Sequence, residues 1–124
     1  MSYAAYKLIH IFGLFALFVA LAGMAAHAAA GHSKEETTSY RTLLALHGLG
    51  ALIALTGGFG LMARVGVMHG EMFPGWIWGK LLLWLILGGL VALPYRRRGL
   101  AKALLVALPL FGLFGAYLAN YKPF

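Results

Sequence analysis

The stretch LIHIFGLFALFVALAGMAAHAAAG, residues 8–31, is interrupted only by the imidazoles His10 and His27 and carries no full charge. A helix needs about 20 apolar residues to cross the hydrocarbon core of a bilayer, and this run is longer than that. A secretory signal has an apolar region of about 7 to 15 residues behind a basic segment. Here only Lys7 precedes the run, so it reads as a retained helix. Working outward, the pattern repeats three times. Residues 42–63 contain His47, residues 75–95 hold one full charge, Lys80, and residues 103–121 hold none. The alternating polarity that a membrane β-barrel requires does not occur in these runs. The expectation is an all-α integral membrane four-helix bundle, up-down-up-down, with spans near 3–31, 40–64, 75–95 and 99–121. Residues 1–124 form one domain, because no linker or composition shift divides them.

Composition points the same way. The chain is 62% hydrophobic and 10% charged, where a soluble domain is about half apolar and about a quarter charged. So few polar residues do not cover a soluble globule of this size. With no cysteine, disulfides, thiolate metal centres, iron–sulfur clusters and a cysteine nucleophile are excluded. The net charge of +7 fits anionic lipid headgroups, with the bilayer as partner and no nucleic acid. No phosphate-binding loop, carboxylate pair, metalloprotease helix or serine triad is present, and the three glutamates lie in loops.

Lysine and arginine set the orientation, since they favour the cytoplasmic side. Lys7, Arg64 and Lys122 fall on one side, against Lys34, Arg41, Arg96, Arg97, Arg98 and Lys102 on the other. This places both termini in the periplasm, in a bacterial inner membrane, with Tyr3, Tyr6, Trp76, Trp78, Tyr117 and Tyr121 as an aromatic belt. In the first connection Thr38 or Ser39 is expected to cap the second helix. Pro94 is expected to close the third, and Pro109, inside the fourth, to kink it and free a carbonyl. His47, Gly50, Ala54, Gly57, Leu61 and Arg64 form a stripe at helical spacing, and Leu108, Gly112, Gly115 and Ala119 form another. Such stripes either pack helices closely, with Gly57 and Gly112 at the contacts, or open a slot for a flat ligand.

Lys80 is the most informative residue, because a charge within a span faces a cavity, faces a partner or snorkels to the headgroups. His10 lies near the same depth, about ten ångströms below that surface. His47 and His27 belong to the opposite half, so a haem gripped by both His10 and His47 is not expected, while His27 and His47 match in depth. His32 and His69 read as loop residues. Met24, Met62, Met68 and Met72 share no single depth.

Tyr6-Lys7-Leu8-Ile9-His10-Ile11 together with GWIWGKLLLW, residues 75–84, resembles the HemJ-type protoporphyrinogen oxidases and the related SirB-like and CopD-like membrane proteins. His47 followed by Gly57, in HGLGALIALTGGFGLM, resembles the SirB-like second helix. The resemblance implies haem b inside the bundle, with His10 as the histidine on the haem iron and Lys80 as the essential lysine. It also implies oxidation of protoporphyrinogen, with electrons passing to a quinone or other membrane carrier. The later part of the first helix lacks the tryptophan and arginine of the HemJ pattern, and Gly50 stands where SirB-like chains have aspartate. What the resemblance implies is therefore more direct for the fold and haem site than for the reaction.

The sequence thus leads to a membrane haem b or tetrapyrrole protein acting in electron transfer or porphyrinogen oxidation. Its cofactor-binding candidates are His10, Lys80 and His47, its catalytic candidate is Lys80, and its site lies between helices one and three. If it is an enzyme, it is an oxidoreductase. The alternatives are a non-catalytic small subunit of a larger membrane complex or homo-oligomer, and a CopD-like copper permease.

Overall fold

A computed structural model describes residues 2–64 and 74–122. The chain is an all-α four-helix bundle whose four spans, Tyr3–Ala29, Tyr40–Arg64, Gly75–Arg96 and Arg98–Tyr121, are each long and apolar enough to cross a membrane. Helix α1 spans Tyr3–Ala29, α2 Tyr40–Arg64, α3 Gly75–Gly89, the single turn α4 Leu93–Arg96, and α5 Ala101–Tyr121. Large apolar side chains such as Phe12, Phe15, Val19, Val106, Leu110 and Leu113 are exposed on the outer surface, the reverse of a water-soluble bundle.

Backbone chemistry fixes the helix ends. Helix α1 stops at Ala29 because Gly31 takes a left-handed φ of 92°. His32 N–H then reaches His27 O and Gly31 N–H reaches Ala28 O, which satisfies carbonyls that the helix would leave unpaired. Neither Thr38 nor Ser39 caps α2 through its side chain. The turn is held instead by Ser33 and Glu36, which exchange bonds in both directions, and by Thr37, whose hydroxyl donates to Ser33 O at 2.8 Å. Pro94 does not close the third span either. It sits in the first turn of α4, and Leu90–Ala92 tightens into a 3-10 turn before it. Proline has no N–H for the carbonyl four residues back and its ring crowds that carbonyl, so regular α-geometry yields there and resumes afterwards. Helix α5 continues through Pro109.

Neighbours run antiparallel. Along α1, His10, Gly13 and Leu17 face Gly57, Ala54 and Gly50 of α2. A Cβ on Gly57 would lie 2.7 Å from His10 Cα, and one on Gly50 2.7 Å from Leu17 N, so these glycines let two backbones touch. Side-chain bonds stitch α2 to α3 in both directions. His47 Nε2–H donates to Leu87 O at 3.1 Å, and Trp84 Nε1–H donates to Ala51 O at 2.9 Å. Leu83 of α3 packs on Gly115 of α5, which closes the ring of helices.

The core occupies one half of this ring. Leu17, Leu21, Met24 and Ala25 of α1 meet Leu83 and Leu87 of α3 and Leu104 and Leu108 of α5. Arg98 Nη1 donates to Gly31 O, and Tyr95 pairs with Thr37, at the end of that packed half. The other half carries both chain ends and leaves space inside.

Candidate functional site

That space is a cavity of ≈ 450 Å³ bounded by α1, α2, α3 and α5, within the range of about 300 to 1,000 Å³ usual for ligand sites. It is wider than a cleft between the first and third spans. Its walls are aromatic, with Phe18, Phe59, Trp76, Trp84 and Phe111, while Gly58, Gly112 and Gly115 contribute no side chain. Close helix packing, expected at Gly112, is not found there. A Cβ there would meet only Phe18 Cζ at 3.8 Å, an ordinary contact, so Gly112 is not a site of close helix approach.

Both His10 and Lys80 line this cavity. His10 is seated by a consecutive glycine pair: its backbone rests on Gly57, and its ring lies 3.3 Å from where a Cβ on Gly58 would be. Its Nδ1 is 2.6 Å from Ala54 O. A carbonyl only accepts, so the ring proton sits on Nδ1 and the lone pair of the neutral ring sits on Nε2. Among the described residues no side-chain nitrogen or oxygen sealed from the surface lacks a partner, so the unbonded Nε2 keeps accessible surface on a residue that lines the cavity. Lys80 is half-buried, and no described residue offers its ammonium a hydrogen bond or carboxylate.

His47 does not belong to this constellation. It is buried between α2 and α3 with Nε2 committed to Leu87 O, and it does not line the cavity. Nor do His27 and His47 pair. His27 Nδ1 lies 3.5 Å from His32 Nδ1 at the end of α1, because the turn at Gly31 folds the chain back over the last helical turn. His69, Met68 and Met72 lie outside the described residues. Of the remaining methionines, Met24 is in the packed core and Met62 lines the cavity. Among the described residues no group of three or more histidines and carboxylates could hold a metal ion.

No known protein family, curated protein or solved structure matches this chain. The site therefore stands on its own geometry.

Sequence reasoning missed three features of it. Lys7 and Lys122 line the same cavity as Lys80, and Gly58 seats the His10 ring. Lys7 precedes His10 by three residues, so helical spacing alone puts the two on one face. The pair Gly57-Gly58, rare inside a helix because of its entropic cost, was also a readable signal. Lys122 had none, since its place depends on how far α5 runs.

Proposed function

We propose that this is an integral membrane protein that binds haem b or a related tetrapyrrole and acts in electron transfer or porphyrinogen oxidation. The observation that carries the reading is the His10 ring. It is held through Nδ1 by the Ala54 carbonyl, with Nε2 free to ligate from the cavity wall. Iron-bound histidines are oriented in this way, by donation of the other ring N–H to a carbonyl or carboxylate.

Haem iron supplies one-electron exchange when bound. The chain's own part is to hold and shield it. His10 would ligate the iron, the missing side chains at Gly58, Gly112 and Gly115 leave room for a flat ring, and the aromatic walls exclude water. Lys80, in the same cavity, is the group placed to exchange a proton with a porphyrinogen or to neutralise an acidic substituent. A quinone is the fitting electron acceptor in a bilayer. Gly50 and Gly57 of the α2 stripe face α1 inside this chain, which favours this reading over packing of that stripe against a larger complex.

An absorption spectrum of the detergent-purified protein tests the reading. A Soret band is expected, His10→Ala should lose it, and Lys80→Met should alter the spectrum or midpoint potential while the helices persist. Folded protein that takes up no added haem would remove the proposal. We further place the protein in the bacterial inner membrane with both termini periplasmic, on the lysine and arginine count. Reporter fusions after Phe124 should be active outside the cytoplasm, and a fusion active only inside would reverse the orientation.

A further inference from the structure

Among the described residues the cavity is electrically one-sided. Lys7 stands near the start of α1, Lys80 near the start of α3 and Lys122 at the end of α5, and the antiparallel order brings all of them to the same end of the cavity. No described carboxylate lines it. Glu35 and Glu36 lie in the connection at the other end of the bundle, and Glu71 is outside the described residues. Lys122 is positioned rather than loose: it adopts a left-handed φ of 46°, donates to Ala119 O at 2.9 Å and stands 5.2 Å from the centroid of the Trp76 ring. Lys80 has no protein partner among the described residues.

Lysines gathered without a described carboxylate repel one another, and half-buried Lys80 also loses hydration while Lys7 and Lys122 stay exposed at the mouth. An arrangement of this kind is stable when an anion completes it. The rest of the cavity is apolar and aromatic, so the anion belongs to an amphipathic molecule whose flat body fills the deeper part.

We propose that Lys7, Lys80 and Lys122 form a clamp that selects ligands bearing two carboxylates on one edge of a flat apolar body, as the propionates of a tetrapyrrole are arranged. This rests on the tetrapyrrole reading above and adds to it the orientation of the ligand. The acidic edge faces the end of the bundle that carries both chain ends, and the apolar edge faces the packed core at Leu83 and Leu108. It also makes the site discriminate against neutral molecules of the same shape.

Protoporphyrin and its dimethyl ester separate the possibilities, because they share a ring and differ only in charge. Binding to the full-length protein in phosphatidylcholine nanodiscs is read by porphyrin fluorescence. The diacid should bind about tenfold or more tighter than the diester, since a charge-assisted contact contributes about 1.5 to 3 kcal/mol. The preference should weaken with added salt. The double variant Lys7→Gln/Lys122→Gln should erase most of it, and Lys7→Arg/Lys122→Arg should restore it, which shows that loss in the first variant is not misfolding. Equal affinity for diacid and diester, or a preference unchanged in the glutamine variant, overturns the clamp while leaving haem ligation by His10 intact. A clear diacid preference with no His10-dependent Soret band overturns the haem reading and keeps the clamp. If phosphatidylglycerol added to the nanodiscs displaces the diacid competitively, the lysines hold lipid phosphate and the clamp is refuted. Failure of both porphyrins to bind refutes the clamp, while the haem reading stands or falls on uptake of added haem.

Discussion

The packed half and the cavity half of the bundle are made from the same helices, yet one is filled and the other is open. Helix α5 shows why. It turns Leu104 and Leu108 inward in the packed half and Gly112, Gly115 and Ala119 inward in the other, at one continuous helical spacing. Across the ring, Leu17, Leu21 and Met24 fill the first half completely, while His10 stands back against α2 in the second. Both halves have largely apolar walls, although only the cavity half also holds His10 and the lysines. Inward side-chain volume decides which becomes core and which becomes site, because helix backbones do not move together to fill a gap of this size.

The largest effect is expected at Gly57, where α1 and α2 touch behind the cavity wall. A leucine there meets the His10 backbone, so α1 and α2 must separate, at a cost of about 4 kcal/mol or loss of the folded bundle. Gly112→Leu is the matching change on the cavity side. It has space to occupy, so the thermal midpoint in detergent should stay near that of the parent while haem uptake falls. Equal loss of stability in both variants would show that the cavity wall at Gly112 is as tightly packed as the α1–α2 contact at Gly57.

How much of this was legible follows from what each residue needs. Span positions and the α2 stripe were readable because apolar length and helical spacing are local. Gly57 at a contact followed from the stripe, and Gly112 did not, since a glycine that touches a backbone and one that lines a void have the same sequence signature. Pro94 misled because one missing N–H permits either an end or a tightened turn, and tertiary packing chooses between them. That His10 and Lys80 share a cavity was expected from depth, whereas the burial of His47 on Leu87 O needed the α2–α3 register.

Filling is tested next in the packed half. Leu21 has no exposed surface, and Leu21→Ala leaves a hole among rigid neighbours, so a loss of about 3 kcal/mol is expected in chemical or thermal unfolding. Leu81→Ala, on the cavity wall, should cost clearly less, because its removal enlarges space that already exists. Comparable losses would mean that the cavity is closed by packing in the absence of ligand.

A smaller effect probes how the packed half is tied at its end. The Thr37 hydroxyl proton goes to Ser33 O, so in the 2.8 Å contact between Thr37 Oγ1 and the Tyr95 hydroxyl the tyrosine donates. Thr37 is only 3% exposed. Tyr95→Phe keeps the edge-on contact with Tyr40 and deletes only this bond, which should lower stability by about 1 kcal/mol. Haem uptake in the other half should be unaffected. A change in uptake would show that the halves are coupled through α3.

The smallest effect is a pH dependence confined to the same end. Ser33 N–H donates to Glu36 Oε1 at 2.8 Å, and Glu36 N–H donates to Ser33 Oγ at 3.2 Å. Bonding from the Ser33 backbone, then from its side chain, holds the Glu36 carboxyl below its ordinary value of 4.5, with smaller pulls from His32 and Arg98. A carboxyl with a lowered folded-state pKa binds its proton less readily folded than unfolded. Its stabilisation is therefore complete above 4.5 and is lost as pH falls through the lower, folded value. Glu36→Gln removes the charge at every pH. The parent should melt slightly above the variant near neutrality, and the two curves should converge in acid. The difference should be small because the group is fully exposed and screened by water. Melting curves that stay parallel down to about pH 3 would mean that the Ser33–Glu36 exchange adds nothing to the folded state, leaving the Gly31 turn and the Arg98 contact to hold that end.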